Sequence, residues 1–167
     1  NFIKKKFSIN KIGHAGTLDP MAEGVLPIAI GKATKLIPYI SNMNKEYEFT
    51  VTWGIQTTTD DAEGEILFES SYLPKRKEIE KKIINYIGFI SQIPPKVSAV
   101  KINGKRAYKL FRENKKFTIQ PKKVFIEDLC ITDHSINKTS FKILCGQGFY
   151  VRSLARDLAI DLKTYGH

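Results

Sequence analysis

Alternating apolar and polar positions predict most of the strands in this chain. In residues 45–54 the alternation places Tyr47, Phe49, Val51 and Trp53 on one face of an extended segment, which is the spacing of a half-buried strand. An acidic, turn-rich TTTDDAEGE segment follows this strand. The alternating pattern also predicts three further strands, at residues 65–68, 124–132 and 139–145.

Apolar residues three and four positions apart predict three helices. The first covers residues 74–91 and starts with Pro74, a residue that suits the first turn of a helix. A short helix covers residues 107–113, just after Asn103-Gly104, a pair that strongly favours a two-residue hairpin turn. The last helix carries the apolar positions Leu154, Ala155, Leu158, Ala159 and Leu162.

Hairpins mixed with separated helices predict an α+β fold, in which a mixed, mainly antiparallel sheet is flanked by helices. The length of 167 residues is about that of one domain. Neither an internal repeat nor a low-complexity linker divides the chain. We therefore expect one domain over residues 1–167.

The chain is strongly basic, with a formal net charge of +10. Such a balance predicts a polyanionic partner, although a uniformly lysine-rich surface would give the same total. Residues 96–123 hold ten Lys or Arg against one acid, whereas residues 60–80 hold seven acids against three bases. This segregation favours a basic face that binds a polyanion.

The composition argues against several other classes of site. The two cysteines, Cys130 and Cys145, lie in alternating apolar runs, which predicts buried free thiols in a reducing compartment. None of the three histidines pairs with a cysteine at ligand spacing, so we expect no metal site. No apolar run approaches the ~18–20 residues of a membrane span. We expect a cytoplasmic protein that does not associate with a membrane.

Residues 13–26, with the sequence GHAGTLDPMAEGVL, concentrate glycines and turn-forming residues before an apolar run. Asp19-Pro20 by itself is a common turn initiator, in which the Asp side chain caps nearby backbone N–H groups. The pair alone therefore predicts a structural turn, and any chemistry has to be argued from the residues around it.

The full spacing of this loop resembles the signature of the TruB family, GHxGxLDPxAxGxL. The matching positions are Gly13, His14, Gly16, Leu18, Asp19, Pro20, Ala22, Gly24 and Leu26. Five further segments resemble TruB motifs in the family's order: GxxTK at residues 31–35, KxY at 45–47, WGxxTxTxDxxG at 53–64, PPxxSAxKxxGxxxY at 94–108 and GxYVRSLxxDL at 148–158. The resemblance thus covers essentially the whole chain.

The resemblance implies the pseudouridine synthase fold and an enzyme that isomerises uridine to pseudouridine in RNA, at position 55 in the T loop of tRNA. It implies that Asp19 is the catalytic carboxylate, that Tyr47 stacks on the target base, and that Arg152 pairs with Asp19 and keeps it ionised. Without the family, Tyr47 would be a strand-packing residue and Arg152 a surface charge. The resemblance implies no metal and no organic cofactor, and we expect a monomer that binds the T-stem loop.

The resemblance also assigns residues to RNA binding. His14 resembles the histidine that displaces the target base within the folded RNA loop. The candidates for other RNA contacts, mainly with phosphates, are Lys35, Lys45, Lys101, Lys105, Arg106 and Tyr150. A solvated surface charge is the alternative interpretation of each basic residue. Arg156, one helical turn after Arg152, is expected to contact phosphate or solvent.

Two parts of the TruB pattern do not occur in residues 1–167: an opening strand with a DKPxGxTS-like segment, and a small C-terminal PUA-type domain. We therefore expect this chain to be part of a longer protein. Two other functions remain open, a dyskerin-like synthase that depends on a guide RNA, and a non-catalytic RNA-binding or RNA-folding module. The presence of Asp19, Tyr47 and Arg152 together favours an enzyme, because binding alone does not need an aligned carboxylate.

Overall fold

A computed structural model describes residues 2–167 of the chain. These residues form two compact units, residues 2–44 and residues 45–167. The prediction of one domain over residues 1–167 is not tested by this division and stays a prediction.

The first unit is built on a two-stranded antiparallel hairpin. Its elements in chain order are helix α1 (Phe2–Lys6), strands β1 (Ile12–His14) and β2 (Ile28–Ile30), a 3-10 helix (Gly31–Leu36) and helix α2 (Ile37–Ser41). β1 pairs with β2 so that Gly13 lies opposite Ala29. Gly13 packs closely against α2, so that a Cβ atom there would displace the end of the Ile37 side chain.

The second unit is built on a four-stranded antiparallel sheet. Its elements in chain order are strands β3 (Lys45–Thr52), β4 (Ile55–Thr57) and β5 (Ile66–Glu69), helix α3 (Arg76–Ile83), strands β6 (Gly88–Gln92), β7 (Lys101–Ile102) and β8 (Lys105–Arg106), helix α4 (Ala107–Arg112), strands β9 (Lys122–His134) and β10 (Lys138–Cys145), and helix α5 (Val151–Asp161). The strand order in the sheet is β3-β10-β9-β6, and each neighbouring pair is antiparallel. β4 pairs with β5, and β7 pairs with β8, in separate hairpins.

One face of the four-stranded sheet packs against α3 and α5 and forms the core. The alternation of β10 buries Thr139, Phe141, Ile143 and Cys145 on this face. Side chains that join them in the core include Val51, Trp53, Ile79, Ile126 and Leu158. The indole N–H of Trp53 donates to the buried Thr139 hydroxyl (2.8 Å), so the ring is buried without an unpaired donor. The apolar face predicted for β3 is therefore confirmed as the core face.

The helix predicted over residues 74–91 ends early. α3 stops at Ile83, a 3-10 helix covers Ile84–Tyr86, and Gly88 starts β6. Gly88 has a φ of +94°, a conformation that glycine adopts with little strain and that interrupts a helix. Ile87, the last of the predicted helical positions, is exposed. The helical spacing of isoleucines continues to Ile87, beyond the end of α3. Residues from Gly88 onward instead form β6, because they pair with β9.

The two shorter helix predictions are confirmed. α4 covers all but the last residue of the range 107–113, and α5 carries Leu154 and Leu158 into the core. Among residues 2–167, no helix combines the length and the apolar character that crossing a membrane requires.

The hairpin predicted at Asn103-Gly104 is also confirmed. Both residues have positive φ angles, +48° and +82°, which the two-residue type I′ turn requires. The turn places Lys101 directly opposite Arg106. It therefore brings exposed basic side chains together at one hairpin.

The two cysteines lie in different surroundings. Cys145 is buried, as predicted, and burial raises the pKa of its thiol to about 12. Cys130 is exposed, so the prediction of a buried thiol there is wrong. The reason is a register shift between β9 and β10, in which Leu144 lies opposite Asp128 but Cys145 lies opposite Ile126. The extra residue reverses the alternation of β9 beyond it and moves Cys130 off the core face.

We predict that one of the two thiols reacts with an aromatic disulfide reagent in the native protein at neutral pH. Cys130 is accessible, whereas Cys145 is buried and stays protonated, and the thiolate is the reactive form. Absorbance should report one thiol in the folded protein and both after unfolding. A Cys130→Ser variant should lose the native reaction. Two rapidly reacting thiols in the folded protein would contradict the burial of Cys145, and no reacting thiol would contradict the exposure of Cys130 that the bulge in β9 produces.

Candidate functional site

The Asp19 loop connects β1 to β2 in the first unit. Its base is closed by a hydrogen bond from the Ala15 N–H to the Pro27 carbonyl oxygen (3.1 Å). Within the loop, the Ala22 N–H donates to the Asp19 carbonyl oxygen (2.9 Å). This bond closes a β-turn with Asp in the first position and Pro20 in the second, where both residue types are favoured. The sequence therefore fixes Asp19 as the first residue of a tight turn.

The other candidates of the first unit flank this loop along the chain. His14 is the last residue of β1, and its exposed ring bonds through Nδ1 to the Gly16 carbonyl oxygen. Lys35 is exposed on the 3-10 helix that follows β2. In that helix the Thr34 hydroxyl donates to the Gly31 carbonyl oxygen (2.8 Å). The TruB-like GxxTK segment thus has a local structural reason for its glycine and threonine.

Tyr47 and Lys45 lie on β3 in the second unit. Tyr47 is half-buried, lies opposite Ile143 of β10, and packs against the core. Lys45 lies opposite Cys145, whose thiol donates to the Lys45 carbonyl oxygen (3.7 Å). A central sheet with a packed face holds the Tyr47 ring in a defined position.

Arg152 lies in the first turn of α5 and is mostly buried. Its Nη1 donates to the Thr59 carbonyl oxygen (3.0 Å) and its Nη2 donates to the Val97 carbonyl oxygen (3.0 Å). Nη1 also lies 3.3 Å from Oδ2 of Asp61, and both side chains are 11% exposed. Arg152 is therefore a fixed, partly desolvated cation, and the interpretation of a surface charge is wrong.

The turn that carries Asp61 explains the spacing of the WGxxTxTxDxxG segment. The Thr57 hydroxyl donates to the Asp61 carbonyl oxygen (2.6 Å), and the Thr59 hydroxyl donates to Oδ1 of Asp61 (2.5 Å). The Glu63 N–H donates to the same Oδ1 (3.0 Å). A Cβ atom at Gly64 would collide with Thr59. The two threonines and the glycine therefore hold the Asp61 carboxylate in one orientation.

Arg156 is mostly buried and bonded to acids and a carbonyl group rather than directed to phosphate or solvent, so that expectation is wrong. Its Nη1 lies 3.0 Å from Oδ2 of Asp60, and the two side chains are 15% and 11% exposed. Its Nε donates to Oδ1 of Asp157 (2.8 Å) and its Nη2 to the Ile93 carbonyl oxygen (2.8 Å). Burial raises the pKa of Asp157, and the adjacent Arg156 guanidinium opposes that rise.

The entry into α5 is fixed by a side chain that the sequence did not indicate. Gln92, at the end of β6, is 1% exposed. Its amide donates to the Tyr150 carbonyl oxygen (3.0 Å) and accepts from the Tyr150 N–H (2.8 Å). One turn into the helix, the Ser153 hydroxyl donates to the Ile93 carbonyl oxygen (2.7 Å). These bonds fix the first turn of α5, which carries Arg152.

Three basic candidates of the second unit are exposed at one hairpin. Lys101, Lys105 and Arg106 lie on β7 and β8, and the Arg106 guanidinium donates to the Ala99 carbonyl oxygen. Tyr150 is half-buried at the start of α5. The second unit thus has an exposed basic hairpin and a mostly buried Asp–Arg cluster.

The sequence interpretation missed Asp60 and Asp61 as partners of the arginines. A signal for Asp61 was available, since it is the Asp of the WGxxTxTxDxxG segment. Gln92 carries no comparable signal. In the part of the chain that the structure describes, no group of three or more His, Cys, Asp or Glu side chains is arranged to hold a metal ion.

Sequence comparison gives a family for this fold and site. The model of the TruB family pseudouridylate synthase (N terminal domain) matches residues 4–151. The chain is 52% identical over 167 residues to tRNA pseudouridine synthase B of Wolbachia pipientis subsp. Culex pipiens (strain wPip), covering 99% of this chain and 47% of that protein. It is 48% identical over 169 residues to tRNA pseudouridine synthase B of Ehrlichia chaffeensis, covering 100% of this chain and 57% of that protein. The chain thus spans about half the length of the curated relatives it matches.

Solved structures show the same fold. A crystal structure of a Cbf5–Nop10–Gar1 complex matches with a TM-score of 0.71 and 25% identity, over 99% of this chain and 40% of that chain. An H/ACA RNP bound to a substrate RNA containing 2′-deoxyuridine matches with a TM-score of 0.69 and 20% identity, over 99% of this chain and 38% of that chain. The predicted α+β fold with its mainly antiparallel sheet is confirmed. Because the family match extends over most of the chain and includes the Asp19 loop, this protein belongs to the TruB family of pseudouridylate synthases.

Proposed function

We propose that the protein isomerises uridine to pseudouridine in tRNA, at position 55 in the T loop. The observation that carries the proposal is the TruB family match across residues 4–151, a range that contains the complete Asp19 loop. Relatives about half identical over the whole chain are named tRNA pseudouridine synthase B, which supports tRNA as the substrate. The net charge of +10 suits a polyanionic substrate.

The chemistry sets three requirements. The C1′–N1 bond of uridine has to break, the detached base has to turn, and a new bond has to form through C5. This needs a carboxylate acting at the ribose or the base, a surface that holds the detached uracil, and exposure of a nucleotide folded within an RNA loop. An Asp carboxylate is chemically adequate for attack at either position. We assign the carboxylate role to Asp19.

The remaining roles are those that the TruB resemblance implies, and the surroundings of Tyr47 and Arg152 support two of them. Tyr47 lies on β3, at the edge of the four-stranded sheet, and packs against the core, and a ring held in this way suits stacking on an extruded base. Arg152 is held by Asp61 and two carbonyl oxygens, and a fixed cation favours the ionised form of a carboxylate near it. We propose that His14 displaces the target base. The family's pairing of Arg152 with the catalytic Asp stays a prediction for this chain.

A guide-RNA-dependent synthase is the second candidate, because of the similarity to Cbf5 in complex with Nop10 and Gar1. The sequence identity to Cbf5 is 25%, against 52% and 48% for the tRNA pseudouridine synthase B relatives. We therefore favour the tRNA enzyme. Activity of the protein alone on a bare tRNA transcript excludes the guide-dependent candidate. We further propose that the enzyme acts as a monomer in the cytoplasm. Sedimentation of its tRNA complex tests the oligomeric state, and cell fractionation tests the location.

The first test is tritium release from unmodified tRNA that carries tritium at uridine C5, since bond formation at C5 expels that atom. We predict that full-length wild-type protein releases tritium and that Asp19→Asn lowers the rate about a thousandfold or more, as expected for loss of an essential catalytic group. Glu23→Gln is the matched control, because Glu23 is an exposed acid of the same loop. Equal release by wild type and Asp19→Asn would overturn the assignment.

The second test concerns the basic hairpin, which we propose contacts RNA phosphates through Lys101, Lys105 and Arg106. We predict that log Kd for tRNA rises linearly with log salt, because each neutralised phosphate releases counterions. Replacing one of these residues by Gln should reduce the slope by about one. Lys77→Gln, an exposed change on α3, is the control. A slope unchanged in all three hairpin variants would show that the RNA lies elsewhere.

A further inference from the structure

Two consecutive aspartates pair with two arginines that lie one turn apart on α5. Asp61 pairs with Arg152 at 3.3 Å and Asp60 pairs with Arg156 at 3.0 Å. Residues four apart on a helix share one face, so α5 presents both guanidinium groups to the same turn. The four side chains are between 11% and 15% exposed.

The backbone at Asp60 needs support from its side chain. Its φ is +58°, in the left-handed region that residues other than glycine rarely occupy, although Asp tolerates it better than most. Two weaker contacts hold the residue locally, a 3.3 Å bond from its N–H to the Thr57 carbonyl oxygen and a 3.4 Å bond from the Gln56 amide. The shortest contact on Asp60 is the one with Arg156.

Arg156 also connects this turn to a second segment. It donates to Asp157 on its own helix and to the Ile93 carbonyl oxygen (2.8 Å), while Arg152 donates to the Val97 carbonyl oxygen. Each arginine thus joins α5 to the Asp60–Asp61 turn and to residues 93–97. A planar guanidinium can make such divergent bonds at once, whereas a lysine ammonium is a point charge.

We propose that Arg156 and Asp60 are a positioning pair for the pseudouridine synthase reaction. By fixing the backbone of Asp60, Arg156 sets the adjacent Asp61 carboxylate and, through it, the orientation of Arg152. Displacements of about 1 Å at a reacting group lower rates by about a hundredfold. Loss of the Asp60–Arg156 pair therefore slows the chemical step without any contact between Arg156 and substrate. This inference rests on the proposed function.

The test uses full-length Arg156→Gln, Asp60→Asn and the double variant, with tritium release measured in single turnover at saturating protein. We expect each single variant to lower the rate at least about tenfold and to leave Kd for tRNA within about twofold. The double variant should be about as slow as the worse single variant, because residues that act as one unit give non-additive effects. Arg156→Lys keeps the charge but not the planar donor set, and it should recover only part of the rate.

Leu158→Ala is the control for a purely structural role. Leu158 lies on the same helix, is 1% exposed and belongs to the apolar core. Its truncation lowers the melting temperature through lost packing, and we expect its rate to stay within about twofold of wild type at a temperature where all variants are folded.

The outcomes separate this inference from the function on which it rests. If wild type releases no tritium, the proposed function fails and the positioning role fails with it. If wild type is active and Arg156→Gln keeps its rate, only the positioning role is overturned. It is also overturned if the rate falls with the melting temperature in every variant, Leu158→Ala included. A change in Kd for tRNA without a change in the single-turnover rate would overturn it as well.

Discussion

The mostly buried pairing of Asp60 and Asp61 with Arg156 and Arg152 is the interaction on which the polar cluster at the start of α5 depends. Removing charges from water is costly, and an ion pair offsets this only where geometry and additional hydrogen bonds are good. The structure meets that condition with hydroxyl and carbonyl groups supplied by residues 57–59, Ile93 and Val97. The packed sheet keeps these groups in place. The pairing in turn joins α5 to the connection between β4 and β5.

The scaffold explains why this cluster can be both rigid and polar. Trp53, Phe141 and Leu158 are almost completely buried, so the apolar packing of the sheet on α5 does not depend on the charged residues. Gln92 fixes the start of α5 through two bonds with Tyr150. Polar side chains therefore determine the position of the helix end, while apolar side chains determine that the helix docks at all.

Much of the fold was predictable because it depends on local patterns. Alternation gave β3 and β10, and the Asn103-Gly104 pair gave the turn between β7 and β8. The errors arose where a non-local factor prevailed. Pairing with β9 ended the predicted helix at Gly88, and one extra residue in β9 moved Cys130 to the surface. Neither factor can be read from apolar spacing.

The site was predictable to the extent that family motifs mark it. The TruB-like segments indicated Asp19, Tyr47 and Arg152 as candidates and included Asp61. They did not identify how Arg156 is used, because Arg156 and Asp60 lie 96 positions apart and meet only in the folded chain. The 58-residue separation of Gln92 and Tyr150 has the same consequence. Local patterns predict elements, whereas long-range polar pairs require the tertiary structure.

We propose that this TruB-family chain belongs to an enzyme that modifies one uridine of tRNA. The most direct measurement is to map pseudouridine in a tRNA transcript after incubation with full-length protein, by carbodiimide modification and primer extension. We predict one new stop, assigned to position 55, which is lost when that uridine is replaced by cytidine. No stop, or stops at other uridines with position 55 unmodified, would contradict it.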